Sequence, residues 1–429
     1  MKESITIFIC LQVGKICKKQ KKDVSIETSF FCYIIEYMKR FNFLTSGESH
    51  GKCLTAIIEG VPAGFKIKSS IINEDLARRQ VGYGRGARMQ IEKDTVEIKS
   101  GVRFGKTTGA PICLEIKNKD FENWKEVMDV EKPDYPTQEI LKKIEEKKFT
   151  TVRPGHADFA GAKKYNFNDL RNVLERSSAR KTAIEVAVGS VAKQILKEFG
   201  IVGFSHVIQI GKVKLDFYPK TYTLIREKAE KSDVRCADEL TADRMHNAID
   251  EAAKAGDTLG GKFEVIFGNL PVGLGSYVHW DRALDGILAQ AVMSIPAVKA
   301  VEIGAGVEAA GLNGSEMHDE IFVNKDKSTY RNTNNAGGLE GGMTNGEPLV
   351  IAAVMKPIPT LMKPLDTINI ENGQAVSAAK ERSDVCAVPA CGVVAENMIA
   401  TVLVNALFER IGSDNLDQMK RNYEADIVR

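Results

Sequence analysis

Thr182-Ala-Ile-Glu-Val-Ala-Val-Gly-Ser-Val-Ala-Lys-Gln-Ile-Leu-Lys-Glu-Phe199 is the stretch that decides the fold class. Ile184, Val188, Val191, Ile195 and Phe199 recur at helical spacing, which predicts an amphipathic helix. Ala179, Ala183, Ala187 and Gly189 put small residues on several of its faces. A helix with small residues all round is built for close packing inside a layered core. Two further helices are predicted. Leu284, Ile287, Leu288, Ala291 and Val292 form one apolar stripe, and Met398, Ile399, Val402, Leu403, Ala406 and Leu407 form another. Ile112, Leu114 and Ile116 alternate, as do Phe263, Val265 and Phe267. That is the period of a half-buried strand. Apolar helices interspersed with alternating strands fit an arrangement in which sheets cover helices.

The chain has 429 residues, 43% of them hydrophobic and 27% charged, so it can bury a sizeable core. Lys and Arg number 59 against 57 Asp and Glu, a net charge of +2, which excludes a nucleic-acid binder relying on bulk positive charge. No run of about 18 apolar residues occurs, so no membrane span is expected. The eight cysteines include no CxxC pair and assemble no zinc-ligand spacing with the six histidines, so no metal site is expected. They read as reduced thiols of a cytoplasmic protein. Residues 1–37 break from the rest in composition. They hold three cysteines and a basic run at Lys18, Lys19, Lys21 and Lys22, yet carry acids that a transit peptide lacks. We read them as an N-terminal extension without function, Met38 as the start proper, and 38–429 as one catalytic domain.

Two motifs mislead. Gly82 to Ala87 satisfies the letters of a dinucleotide fingerprint, but a helix start with Asn73 as N-cap precedes it where a strand is required. Gly105-Lys106-Thr107 resembles the end of a P-loop, but the glycine five residues earlier is Ser100. Other segments carry chemistry. His50 in Gly47-Glu-Ser-His-Gly51 and His156 in Arg153-Pro-Gly-His-Ala-Asp158 sit in tight turns, and their imidazoles suit proton transfer. Arg78, Arg79, Arg85 and Arg88 are threaded through glycines, and guanidinium forks grip phosphate or carboxylate. Glu175 to Arg180 places hydroxyls at the opening of the long helix, where anions bind. Asn332 to Gly342, followed by Lys356 to Thr360, reads either as a flexible loop or as backbone laid against a flat ligand. Arg382-Ser-Asp384 adds an Arg and an Asp. Together these point to a polyanionic ligand without naming a reaction.

At these residues the chain resembles the chorismate synthases, from about Arg40 to about Leu407. The likeness rests on six motifs in family order: GESHG at 47–51, RPGHAD at 153–158, RSSARKTA at 176–183, MSIPAVKAVEIG at 293–304, NNAGGLEGG at 334–342 and RSDVCAVPA at 382–390. It implies an α+β fold, a β-α-β sandwich with antiparallel sheets covering a central helical layer, assembled as a homotetramer. It implies a lyase converting 5-enolpyruvylshikimate 3-phosphate to chorismate and phosphate by 1,4-anti elimination. That is the last step of the shikimate pathway toward aromatic amino acids. Reduced FMN is required without net redox change, and NADPH is a candidate reductant. On this likeness His50 protonates the leaving phosphate. His156 stabilises the reduced flavin, and Asp384 helps relay the ring proton. Arg176, Ser177, Ser178, Pro296, Ala297, Gly341, Lys356, Pro357, Ile358, Pro359, Thr360 and Arg382 line FMN. Arg79, Arg85 and Arg180 take NADP or the substrate phosphate. Pro296 departs from relatives that carry Asn there, which puts a side-chain contact in doubt. The competing readings are an NADP-dependent oxidoreductase built on Gly82 to Ala87, and a non-catalytic flavin- or anion-binding protein.

Overall fold

The alternation at Ile112, Leu114 and Ile116 becomes the strand Ile112–Lys117, whose three isoleucine and leucine side chains are fully buried. In a computed structural model, residues 40–86, 93–131, 134–379 and 384–426 are described. The N-terminal extension and Arg382 lie outside them. The strand pairs antiparallel with Cys53–Glu59, matching Leu54 to Ile116 and Ile58 to Ile112. Asn42–Ser46 and Val96–Ile98 complete a four-stranded antiparallel sheet. Its inner face is apolar, while Leu44 and Ile57, paired across strands, face outward.

The second sheet is also antiparallel, in the spatial order Val298–Ile303, Leu349–Met355, Gly261–Gly268, Val202–Ile210 and Val213–Lys214. Between the sheets lie helices α1 (Ser69–Gln80), α4 (Thr182–Lys197), α5 (Leu284–Met293) and α6 (Val388–Ile411). Two short helices, α2 (Asp158–Tyr165) and α3 (Arg171–Ser177), lead into α4. One apolar core runs continuously from Phe41 to Met419. The expected sandwich is therefore the observed one.

The small residues of α4 have a defined task. A Cβ on Gly189 would stand 2.3 Å from the Asn397 carbonyl oxygen of α6, so glycine sets how closely the two central helices approach. Helix α6 is 24 residues long and apolar enough to cross a membrane by composition, but 89% of its most apolar window is buried between the sheets. The 18-residue expectation overlooked it because Glu396 and Asn397 interrupt the apolar run.

One local reading changes. Asn73 is not an N-cap: α1 begins four residues earlier, and Asn73 Oδ1 instead accepts from Val96 N on the sheet edge (2.9 Å). Gly105 turns a hairpin between Val102–Arg103 and Lys106–Thr107, with the Thr107 hydroxyl buried against Pro62 O. The glycine-rich segment 334–342 is not a loose loop at its centre. Cβ atoms on Gly337 and Gly338 would meet Gly304 N at 2.3 Å and Pro348 O at 2.6 Å, so it packs backbone on backbone. The Asp319 carboxylate ties this segment by accepting from Thr333 Oγ1, Asn335 N and Ala336 N.

Candidate active site

Gly47 enters the GESHG turn at a φ of +103°, where any side chain would strike Cys53 O at 2.3 Å. The turn delivers His50 to α3. His50 N donates to Glu175 Oε2 (2.7 Å), and His50 Nδ1 lies 2.9 Å from Glu175 Oε1. Glu175 is buried, and Arg171 Nη1 donates to the same Oε1 (3.1 Å). Burial alone would raise the Glu175 carboxyl, but the hydrogen bonds and charge of His50, with Arg171, hold it below the usual range. The His50 ring stacks on Trp124 of the helix Phe121–Met128, with centroids 4.2 Å apart. Lys147 and Arg171 sit over the same indole at 4.3 and 4.7 Å.

The RSSAR segment closes around this turn. Arg176 donates to Gly47 O (3.1 Å) and Thr45 O (2.9 Å), and Ser178 Oγ to Ser49 Oγ (3.2 Å). Ser177 turns back, its hydroxyl bonded to Val173 O in its own helix (2.7 Å). Ser178 also caps the next turn by accepting from Arg180 N. Asn118 ties the two motifs: Nδ2 donates to Glu48 O and Gly51 O, while Oδ1 accepts from Arg180 Nε (3.0 Å).

Arg180 Nη1 holds both oxygens of buried Asp94, at 2.6 and 2.8 Å. Arg79 reaches the same carboxylate at 3.5 Å and donates to Thr182 Oγ1 and Ala179 O. Burial, with Arg180 and Arg85 close by, pushes the Arg79 guanidinium down to about 10 despite Asp94. Both arginines are buried. Arg85 is less enclosed, and its Nη1 pairs with Asp384 Oδ2 at 3.3 Å. Gly86 N donates to the other Asp384 oxygen (2.6 Å). Asp384 and Arg85, distant in sequence, therefore act as one pair. Arg78, grouped with these arginines in the sequence, faces away. Its guanidinium joins buried Asp75 and Glu396 and exposed Glu230 in a partly buried ion network on the other side of α1. Consecutive helical residues stand about 100° apart, so Arg78 and Arg79 serve different faces.

His156 forms a second centre. Its Nδ1 lies 2.6 Å from Asp158 Oδ1, and Arg153 Nε donates to Asp158 Oδ2 (2.8 Å). Burial opposes the Asp158 charge, but the His156 and Arg153 contacts bring its carboxyl down to about 2. Lys356 Nζ donates to Gly155 O (2.7 Å), and Lys356 N donates to Ala297 O (2.9 Å). Burial and neighbouring Lys299 lower the Lys356 amine. The strap Lys356–Pro357–Ile358–Pro359–Thr360 thus meets the His156 turn at one end, while Ile358 O accepts from Thr258 Oγ1 (2.7 Å). Ala297 has a φ of +71° in the turn after Pro296. Gly341, at a φ of +57°, tops the hairpin Leu339–Thr344, and a Cβ there would meet nothing within 4 Å. Asp94, Asn118 and Trp124 were missed by sequence reasoning, and Glu175 was read there only as part of a helix opening.

Comparison with known proteins agrees with the motifs. The chorismate synthase family model matches residues 41–408. "Chorismate synthase 1" of Bacillus thuringiensis (strain Al Hakam) is 54% identical over 385 residues, 89% of this chain and 97% of that protein. The chorismate synthase of Bacillus cytotoxicus is 53% identical over 383 residues, with the same coverage. A crystal structure of a chorismate synthase superposes with a TM-score of 0.71 at 41% identity, covering 90% of this chain and 97% of that one.

Proposed function

The chain belongs to the chorismate synthase family, and from that premise we propose that it converts 5-enolpyruvylshikimate 3-phosphate to chorismate and phosphate with reduced FMN. The observation that carries the reading is the union of GESHG and RSSAR, 125 residues apart at His50 and Glu175, in one hydrogen-bonded cluster backed by Arg79, Arg180 and Asp94. That cluster supports reading His50 as an acid with guanidinium groups nearby, the combination a phosphate leaving group requires.

The donor set suits a flat ring bearing a phosphate. Lys356 and Arg176 supply positive charge, Ser178 and Thr360 supply hydroxyls, Ser177 keeps its hydroxyl on Val173 O, and Gly341 leaves open space beside its backbone. When bound, reduced FMN would supply the electron density that lets phosphate depart. His156, held by Asp158 and Arg153, would offer the ring its imidazole. His50 donates a proton to the departing phosphate. Arg85 faces the phosphate, and its partner Asp384 is the carboxylate that receives a proton. NADPH is the candidate reductant, with Arg79 and Arg85 as the guanidinium groups that would meet it. The outward Leu44 and Ile57 support assembly through that sheet face as a homotetramer, and the reduced cysteines support a cytoplasmic setting.

The test is phosphate release from the substrate under anaerobic conditions with dithionite-reduced FMN, repeated with NADPH and oxidised FMN in air. Release only in the first arm means an external reductant is needed. NADPH consumed in step with product would favour the oxidoreductase reading, and flavin binding without release would favour the non-catalytic one.

A further inference from the structure

We infer that Glu175 is the positioning residue of His50: its carboxylate keeps a proton on Nδ1 in both states of the ring, so that in the imidazolium the transferable proton is the one on Nε2. The inference rests on the reading of His50 as the acid. An ionised carboxylate only accepts hydrogen bonds, so the ring atom it meets must be the donor. Glu175 is kept ionised by its surroundings, and both its oxygens lie within 3.1 Å of His50 Nδ1.

Three contacts fix the ring. His50 N and Nδ1 bind the same carboxylate, which fixes the side chain relative to its own backbone. Arg171 Nη1 orients that carboxylate from the other side. Trp124 covers one ring face. The charge balance gives the carboxylate a second task. Lys147 and Arg171 lie over the Trp124 ring, and both oppose an imidazolium stacked on that indole. Glu175 is the anion that offsets them. When Nε2 gives its proton to the leaving phosphate, the neutral ring that remains is already the Nδ1–H form.

The test uses the full chain labelled with 15N-histidine, with the His50 signals assigned from their loss in His50→Gln. Above the ring's titration, the wild type should show a protonated Nδ1 and an unprotonated Nε2. Glu175→Leu should shift the ring toward the Nε2–H tautomer. It should also lower kcat by about 10–100-fold, part of the 10²–10⁴-fold a positioned acid contributes, with substrate KM changed less than about threefold. Glu175→Gln keeps an acceptor oxygen but loses the charge, so it should keep the tautomer and lose kcat several-fold. It carries the test if the leucine variant fails to fold. A wild-type ring in the Nε2–H form overturns the inference, as does full turnover in both Glu175 variants while His50→Gln is impaired. Full turnover in His50→Gln itself would instead refute the reading of His50 as the acid.

Discussion

Replacing Gly189 by alanine tests how the two central helices are held. Two effects compete. Alanine favours a helix interior by about 1 kcal/mol over glycine and restricts the unfolded chain. Against this, the new Cβ would lie 2.3 Å from Asn397 O, 2.4 Å from Asn397 Cβ and 2.6 Å from Asn397 C. Two of these atoms are backbone, so no rotamer change relieves the clash, and α4 and α6 must part by roughly 1 Å. Overpacking of this kind costs about 1–3 kcal/mol, occasionally more. The clash sits at the tight end, so it wins, and Gly189→Ala should destabilise by about 1–2 kcal/mol net. Gly286 in α5 is the matched control, because a Cβ there meets nothing within 4 Å. Gly286→Ala should stabilise by up to about 1 kcal/mol, since only the propensity gain operates. Urea unfolding at equal protein concentration measures both, with unchanged slopes and midpoints moving in opposite directions. A Gly189→Ala midpoint at or above wild type would refute the close-approach argument.

Other outcomes follow from the site. His50→Gln and His156→Gln should each lower kcat by about 10²–10⁴-fold, whereas His246→Gln and His318→Gln should stay within a few-fold, as steady-state phosphate release will show. Arg85→Lys should raise substrate KM about tenfold, the loss of one charged hydrogen bond of roughly 1.5 kcal/mol. Arg79→Lys should chiefly lower the unfolding midpoint, because one ammonium nitrogen cannot reproduce the Nε and Nη2 fork that meets Thr182 and Ala179. Asp158, at about 2 when folded against an ordinary carboxyl near 3.9, stabilises the fold above pH ~5 and loses that contribution as pH falls toward 2. The stability gap between wild type and Asp158→Asn should therefore narrow between pH 6 and 3; a constant gap would refute the assigned ionisation.

The layered fold was legible because its signals are local. Alternation marked Ile112–Lys117 and Gly261–Gly268, and apolar stripes marked α4, α5 and α6. The histidine turns were legible because glycine punctuates them. Asp94 and Asn118 were not, since their partner Arg180 is 86 and 62 residues away and only topology brings them together. Arg78 looked like a ligand arginine because sequence proximity to Arg79 hides the turn of the helix. The glycines at 337 and 338 looked available for a ring because a sequence does not show that Gly304 and Pro348 already fill the space beside them.

The two faces of α1 have a consequence for how such a chain can drift. Arg78 shares Glu396 with Lys193 and Glu230 with Arg235, while Arg79, one residue on, sits against Asp94. Losing one charge of the network leaves its partners unmatched, fully buried Glu396 above all, on the helix that also carries Arg79. Positions 75, 78, 193, 230, 235 and 396 are therefore expected to vary as a block among descendants of this sequence. A single exchange at any one of them should survive only beside a compensating exchange at another.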